Sequence, residues 1–495
     1  MRLLVAAGAA LMLTQYVAAR EIGSTFFSTE LVVLAATVIT LIGPSLAYAM
    51  EERIGDRLLL AWAAASVASH LAMPIGLRPL VGWLTARGWA AWALGATLAL
   101  GALLLCGFHA VFLPRLARQG AGARPAVRGR ARWLPAPGSL GALYAAELAG
   151  AVVALAGLAL APSWRATLGL YWAADVLVLH LALRRPAVTA TAAALAAALV
   201  AAQPALDRAG AAAYYAGSHG LRRPGLVASA YSPYQRVDVV DDAEGRWLYL
   251  DGVPFFGPGA LQGFNVMLAD LPGWLQPHRG QALVIGSGSF SSAGHLKRLG
   301  YAVTVVEIDA AVARLGFAHF RAAHGLEPGD VDVVVEDGRR FLARSPPAAY
   351  DLIVLDVPAP YHLRTGLLHT PELYGLALSR LAAQGVLAVS LADTVDGPVG
   401  GAIAASAASA LPQVIVAESA ALGQAHLYGG RALPFEAEDV ERALRARDPS
   451  GGAVLSDAEV RRRLDGARPI ARERLGVVLV MARSTLPGVG RHADR

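Results

Sequence analysis

Before residue 206 the chain is built from apolar runs too long and too closely spaced for a domain bathed in water on all sides. Runs able, or nearly able, to cross a bilayer as helices fall near 2–19, 30–50, 58–77, 88–113, 139–162, 166–183 and 187–205. This pattern predicts an all-α transmembrane bundle of about seven helices, and the Ala and Gly in the runs suit close helix contact. The first run begins like a signal peptide, with Arg2, an apolar stretch, and Ala18 and Ala19 before Arg20. More spans follow it and Gln15 interrupts it, so it is read as an uncleaved first span. Five ionisable residues lie inside the runs: His70, His109, Glu147, Asp175 and His180. Charge at membrane depth is costly and turns toward a bundle interior. Glu147 and Asp175 there would either attract a cationic substrate or bond to neighbouring helices.

Hydrophobic residues make up 55% of the chain, and mean hydropathy is +0.47. The net charge of +6 comes from arginine almost alone, Lys297 being the only lysine. These arginines sit between the apolar runs and near the C-terminus, which fits membrane topology and argues against nucleic-acid binding. The long loop near 114–137 carries Arg115, Arg118, Arg124, Arg128, Arg130 and Arg132 and is expected in the cytoplasm. Arg53, Arg57, Arg184 and Arg185 share its side under a seven-span count, which then puts everything after 206 on the opposite side. The single cysteine, Cys106, excludes a disulfide framework and a Cys-based metal cluster, and no metal is expected.

Past the transmembrane region, 1–205, the sequence divides into a polar linker at 206–228, an α/β domain at 229–485 and a disordered tail at 486–495. Val237–Val240 and Trp247–Leu250 flank the turn Asp242-Ala243-Glu244-Gly245 and predict a small β-hairpin element. Ala282–Ile285, Ala302–Glu307, Val331–Val335, Leu352–Leu355 and Val386–Leu391 read as buried strands separated by helices, the pattern of a parallel, doubly wound Rossmann-like sheet. The charged stretch from 434 to 473 predicts a helix.

The first of these strands runs into Gly286-Ser287-Gly288-Ser289 and then a helix, so a ligand could approach the backbone and meet free N–H groups. The next strand ends in Glu307-Ile308-Asp309, about 20 positions on, where an acid can accept hydrogen bonds from ribose hydroxyls. Asp337, in Glu336-Asp337-Gly338-Arg339, follows the third strand and is placed for an adenine amino group. Asp356 ends the fourth. Ligands of open α/β sheets bind outside the carboxyl ends of the strands, where all four positions converge.

These elements, with Ser232-Pro233-Tyr234-Gln235-Arg236, Leu248-Tyr249-Leu250-Asp251-Gly252-Val253 and Tyr350-Asp351-Leu352-Ile353-Val354-Leu355-Asp356, resemble the spermidine synthase family of polyamine aminopropyltransferases over about 230–395. Gln15, Arg20-Glu21 and Glu30 resemble the start of bacterial proteins that fuse a multi-span region to such a domain. The resemblance implies a transferase that moves an aminopropyl group from decarboxylated S-adenosylmethionine, or a close relative such as S-adenosylmethionine, to a small-molecule amine. It implies that Gln235, Gly286, Gly288, Glu307, Asp337, Gly338 and Asp356 bind the nucleoside. It also places the chain in the bacterial inner membrane and leaves room for a homodimer; the nucleoside is a cytosolic metabolite, which collides with the seven-span count and puts the soluble domain in the cytoplasm.

The acceptor side departs from the family. Ser289 and Ala359 stand where acids are usual, Phe255 replaces Gln and Phe264 replaces Tyr. A pocket lined by Phe255, Phe256 and Phe264 suits a polycation poorly and points to a less cationic or apolar acceptor. Asp356 and His362 are the candidate catalytic residues. His362 follows Tyr361 in the covering loop and can take a proton near neutral pH. His369 is the poorer candidate because the next helix is expected to start there. Methyl transfer from S-adenosylmethionine, and a degenerate nucleoside-sensing domain, are alternative readings of the same residues. A Rossmann dehydrogenase has no place for Tyr234-Gln235 and Asp337-Gly338.

Overall fold

The computed structural model describes residues 1–27, 29–50, 55–89, 98, 100–101, 104–105, 108–121, 139–447, 452–471, 476 and 480. They form two compact units, Met1–Ser28 with Val32–Leu226, and Thr29–Leu31 with Val227–Arg495.

Helices α1 (Arg2–Phe26), α2 (Glu30–Met50), α3 (Asp56–Thr85), α4 (Phe112–Ala121), α5 (Leu140–Leu160), α6 (Trp164–Leu183) and α7 (Pro186–His219) account for the N-terminal part. Among the described residues, five helices are long and apolar enough to cross a membrane: Arg2–Phe26, Val32–Ala49, Leu140–Leu160, Trp164–Leu183 and Pro186–His219. The run expected at 58–77 lies within α3. Much of the run at 88–113, including Cys106, most of the loop after 121 and the tail at 486–495 lie outside the described residues. Arg115 and Arg118, expected in a loop, belong to α4.

Small residues set the helix contacts. A Cβ on Gly8 would lie 1.9 Å from the Glu147 carbonyl oxygen, and one on Gly150 would lie 1.9 Å from that of Val5, so α1 and α5 meet backbone to backbone. Gly217 makes the same approach to Gly82, joining α7 to α3 at 2.0 Å. Ser139 and Ser163 cap α5 and α6 by accepting from the Ala142 and Ala166 N–H groups. The expected linker at 206–228 is corrected. The helix runs on to His219, its Ala-rich turns burying Tyr214 and Tyr215, and Gly220 ends it in a left-handed cap.

The second unit opens with a four-stranded sheet, β1 (Gly225–Tyr231), β2 (Arg236–Asp241), β3 (Arg246–Leu250) and β4 (Val253–Phe256), ordered β1-β2-β3-β4. The β2–β3 hairpin turns as expected, with Asp242 accepting from the Glu244 and Gly245 N–H groups. A larger sheet follows: β5 (Gln281–Gly286), β6 (Ala302–Glu307), β7 (Val331–Val335), β8 (Tyr350–Asp356), β9 (Leu381–Ser390), β10 (Gln413–Ser419), β11 (Gln424–Gly430) and β12 (Gly452–Leu455). Its helices are α8 (Ala260–Asn265), α9 (Leu271–Leu275), α10 (Ser291–Arg298), α11 (Ala310–Phe320), α12 (Gly338–Arg344), α13 (Leu363–Gly366), α14 (Pro371–Arg380), α15 (Pro398–Ala410), α16 (Ala437–Arg447) and α17 (Asp457–Arg463).

The strand order is β12-β10-β11-β9-β8-β5-β6-β7. Strands β5 to β9 are parallel where they pair, as the sequence predicts. The sheet is nevertheless mixed, because β9–β11, β11–β10 and β10–β12 are antiparallel. The reason is local: the connection from Ser419 to Gln424 is too short for a crossover, so β10 and β11 form a hairpin. One face buries Ile285, Leu355, Val389 and Leu427 against α14 and α15, and the other buries Val284, Val354, Ala388 and Tyr428 against α10 and α16.

The helix contacts make opposite predictions for two glycines of α5. Gly150→Ala pushes a methyl group into the α1 backbone and is expected to lower stability by about 1–3 kcal/mol. At Gly157 the nearest atom to an added Cβ is a Leu170 methyl at 3.5 Å, so Gly157→Ala is expected to raise stability by up to about 1 kcal/mol through helix propensity. Thermal unfolding of the two variants checks the opposed signs.

Candidate active site

The strand order reverses at β5, which has β6 on one side and β8 on the other. Such a switch point opens a crevice at the carboxyl ends of the strands. Gly286 ends β5 directly beside Asp356 at the end of β8. Its φ is +92°, and a Cβ would stand 2.0 Å from the Asp356 carbonyl oxygen, so only glycine fits. Ser287 continues the turn and donates its N–H to that same oxygen at 3.0 Å. Gly288 packs under the small sheet, where an added Cβ would meet Val312 at 2.6 Å and Leu248 at 3.4 Å. An added Cβ on Gly338 would meet Ile285 of β5 at 2.3 Å, which holds the start of α12 close to the sheet.

Side chains alternate along a strand, and the registers carry one row across the sheet on the face covered by α10. Ile285 pairs with Val306, Gly286 with Asp356, Leu355 with Val389, and Ser390 with His426. The row therefore reads Glu307, Gly286, Asp356, Ser390, His426, at about 4.8 Å per strand. Glu307, Asp356 and Gly286 meet as the sequence predicts. His426 was not foreseen, because only its pairing with Ser390 brings it to this edge.

Each acid is held differently. Burial pushes the Glu307 carboxyl up to about 7, with the nearby Asp309 and Asp356 charges adding to the shift and the Asp309 N–H, at 2.9 Å, opposing it. Asp356 is raised by burial, against hydrogen bonds from Ser292 Oγ at 2.7 Å and Asn265 Nδ2 at 3.1 Å. Asn265 also donates to Ser292 at 2.8 Å, so the three side chains form a closed set. Asp309 ties the small sheet to this edge: Oδ2 accepts from Ser232 Oγ at 2.6 Å and Gln235 Nε2 at 3.3 Å, while Oδ1 caps α11 through the Ala311 N–H. Gln235 thus reaches Glu307 through Asp309. Asp337 lies exposed at the start of α12, where its Oδ1 caps the helix by accepting the Arg340 N–H at 3.0 Å. Sequence patterning did not single out Asn265, Ser292 or Asp309 as site residues, since each acts through a contact distant in the chain.

The expected aromatic pocket is corrected. Phe255 and Phe256 pack into the core of the small sheet, Phe256 edge-on to Phe320 and His324. Phe264 belongs to the other core, edge-on to His426 with centroids 5.1 Å apart. Ser289 is buried, and Ala359 packs on the core under α14 and α15. His362 caps the short α13, its N–H donating to Thr365 Oγ1 at 3.1 Å. The same segment reaches the Gln235 loop, with the Arg364 guanidinium 5.9 Å from the Tyr234 ring. His369, expected to begin the next helix, instead ends the short turn before α14 and is buried, with Nδ1 3.0 Å from the Tyr374 hydroxyl. Burial pushes the His426 imidazole down to about 3, so it is neutral near pH 7.

A glycine turn abutting a buried acid at a switch point, with a second acid one strand away, is the place where open α/β sheets take their ligands. Residues 262–393 match the spermine/spermidine synthase domain. A polyamine aminopropyltransferase from Mycobacterium tuberculosis is 30% identical over 179 residues, 35% of this chain and 34% of that protein. One from Thermotoga maritima is 24% identical over 187 residues, 36% of this chain and 63% of that protein. The chain thus spans about a third of the length of the mycobacterial relative. Among solved structures, the spermidine synthase from Thermotoga maritima covers 48% of this chain and 84% of its own at 16% identity, with a TM-score of 0.39. A probable spermidine synthase from Corynebacterium glutamicum covers 49% and 95% at 19% identity, with a TM-score of 0.40.

The Glu307 environment sets a pH signature. The folded chain binds this proton more tightly than the unfolded chain, whose Glu titrates near 4.5. The stabilisation is complete below pH 4.5 and is lost as pH rises through about 7. Wild type should therefore lose stability relative to Glu307→Gln across that window. A constant difference between the two melting curves would refute the assignment.

Proposed function

We propose that the chain is a membrane-anchored aminopropyltransferase that uses decarboxylated S-adenosylmethionine and an amine less cationic than the usual polyamine precursors. The observation that carries this reading is the row Glu307–Gly286–Asp356, within the segment that matches the spermine/spermidine synthase domain. In this reading Glu307 accepts from the ribose hydroxyls, Asp337 and Gly338 face the adenine, and Gln235, Gly286 and Gly288 line the rest of the nucleoside. Asp356, steadied by Ser292 and Asn265, faces the reacting end. The amine nitrogen attacks the carbon beside the sulfonium. A C–N bond forms as the C–S bond breaks, and sulfur takes the electron pair and leaves as methylthioadenosine. The leaving group is intrinsic, so the protein's task is to orient the amine and accept its proton.

His362, in the segment that reaches the Gln235 loop, is the candidate for that proton. The acids usual for the family are replaced by Ser289 and Ala359, and Phe264 lies against the neutral His426. Burying a multiply charged amine there without paired carboxylates is unfavourable, which supports an apolar or singly charged acceptor. The five apolar helices support anchoring in the bacterial inner membrane, and the metabolite supports a cytoplasmic α/β unit.

The test is mass spectrometry after incubating the full chain with labelled decarboxylated S-adenosylmethionine and cell extract. Labelled methylthioadenosine and one new aminopropylated amine are expected, with Asp356→Asn slowed about a hundredfold or more. His362→Ala is expected to lose the alkaline plateau of the pH–rate profile, whereas His426→Ala, which removes a buried neutral ring, is expected to keep it. Methylated product from S-adenosylmethionine, or no turnover with any amine, would contradict the proposal.

A further inference from the structure

Three of the ionisable residues inside the apolar runs come together in the helical unit. His70 of α3, His109 of the described segment 108–110 and Asp175 of α6 are all buried. His70 Nδ1 is 2.6 Å from Asp175 Oδ2, and His109 Nε2 is 3.1 Å from Asp175 Oδ1. The two imidazoles stack at 5.0 Å with 23° between their planes, and one donor atom from each of the three residues lies within 4.8 Å of the others.

The tautomer of His70 follows from its other nitrogen. Nε2 lies 3.2 Å from the Leu105 carbonyl oxygen, which can only accept, so Nε2 carries the hydrogen. With Nε2 committed to Leu105, Nδ1 is left facing a carboxylate oxygen 2.6 Å away. Two acceptors cannot hold that separation alone: the contact needs positive charge at Nδ1, supplied either by a proton on the ring or by a metal ion that spreads the donors apart. A ring N–H donated to a backbone carbonyl is also the arrangement that orients metal-ligating histidines. Trp172 adds a second constraint, donating its indole N–H to the His70 carbonyl at 3.0 Å.

We propose that His70, His109 and Asp175 form a binding site for a divalent first-row transition ion of the zinc or ferrous class. Two imidazoles and one carboxylate are a donor set these ions favour over magnesium or calcium, which take oxygen. Donors on one tetrahedral ion at about 2.1 Å stand about 3.4 Å apart. The two short separations therefore open slightly and the widest closes, by side-chain rotation. The three segments are joined through the ion, which replaces a buried carboxylate shared by two imidazoles with a coordinated one. Cysteine usage bears only on thiolate clusters, so it does not speak to a site of two imidazoles and a carboxylate.

The purified full chain, stripped with a chelator, is titrated with cobalt(II) and separately with zinc. Visible d–d bands saturating near one equivalent and a zinc-dependent rise in melting temperature are expected. Asp175→Asn and His109→Ala should weaken cobalt binding by more than about a hundredfold, beyond the loss typical of outer-shell partners. His109→Cys, which keeps a ligand of suitable type, should retain binding and shift the bands, and so shows that the fold tolerates the position. If the stripped wild type gives neither bands nor a melting shift, the cation in the triad is a proton and the proposal fails. It also fails if the bands survive unchanged in His109→Ala.

Discussion

The close approach of β5 and β8 at their carboxyl ends governs the α/β unit. Because Gly286 lacks a side chain, its backbone can lie against the Asp356 carbonyl oxygen, and the Ser287 N–H then bonds to that oxygen. The turn is thereby pinned, α10 begins where Ser292 can reach Asp356, and the second core closes around Phe290 and Leu296. A side chain at position 286 would separate the two strand ends and remove the geometry on which every polar residue of the site depends.

That geometry leaves acids in a buried place. Asp356 is offset by Ser292 and Asn265, and Asp309 by Ser232, Gln235 and the α11 N-terminus. Glu307 has the backbone N–H of Asp309 but two like charges nearby, and burial dominates its titration. A ligand bringing hydroxyl donors to Glu307 and positive charge toward Asp356 would answer both conditions. Decarboxylated S-adenosylmethionine carries both features, which is why the proposed chemistry follows from electrostatics as well as from the family match.

Much of this was readable in the residues. Strands such as Ala302–Glu307 and Val331–Val335 carry short apolar runs bounded by turn formers, and Gly286, Glu307 and Asp356 mark strand ends by chemistry and spacing. What stayed hidden depends on contacts remote in sequence. Asn265 meets Asp356 across 91 positions, and His426 reaches the site only through the pairing of β9 with β11. The segment to His219 reads as a linker from its polar residues and glycines, but burial of Tyr214 and Tyr215 carries the helix through it. Phe255 and Phe264 fall at acceptor-side positions of the family pattern, yet they serve separate cores. Among the ionisable residues of the apolar runs, no spacing rule could tell which would converge.

The central claim is that the edge formed by Gly286, Glu307 and Asp356 holds a nucleoside carrying a sulfonium. Calorimetric titration of the full chain with decarboxylated S-adenosylmethionine, and then with S-adenosylmethionine, tests it most directly. The account predicts that the decarboxylated form binds at least about tenfold more tightly, a difference of about 1.4 kcal/mol. It also predicts that binding near pH 6.5 releases a proton, as ribose hydroxyls favour the ionised form of Glu307. Absence of binding by both nucleosides would contradict it.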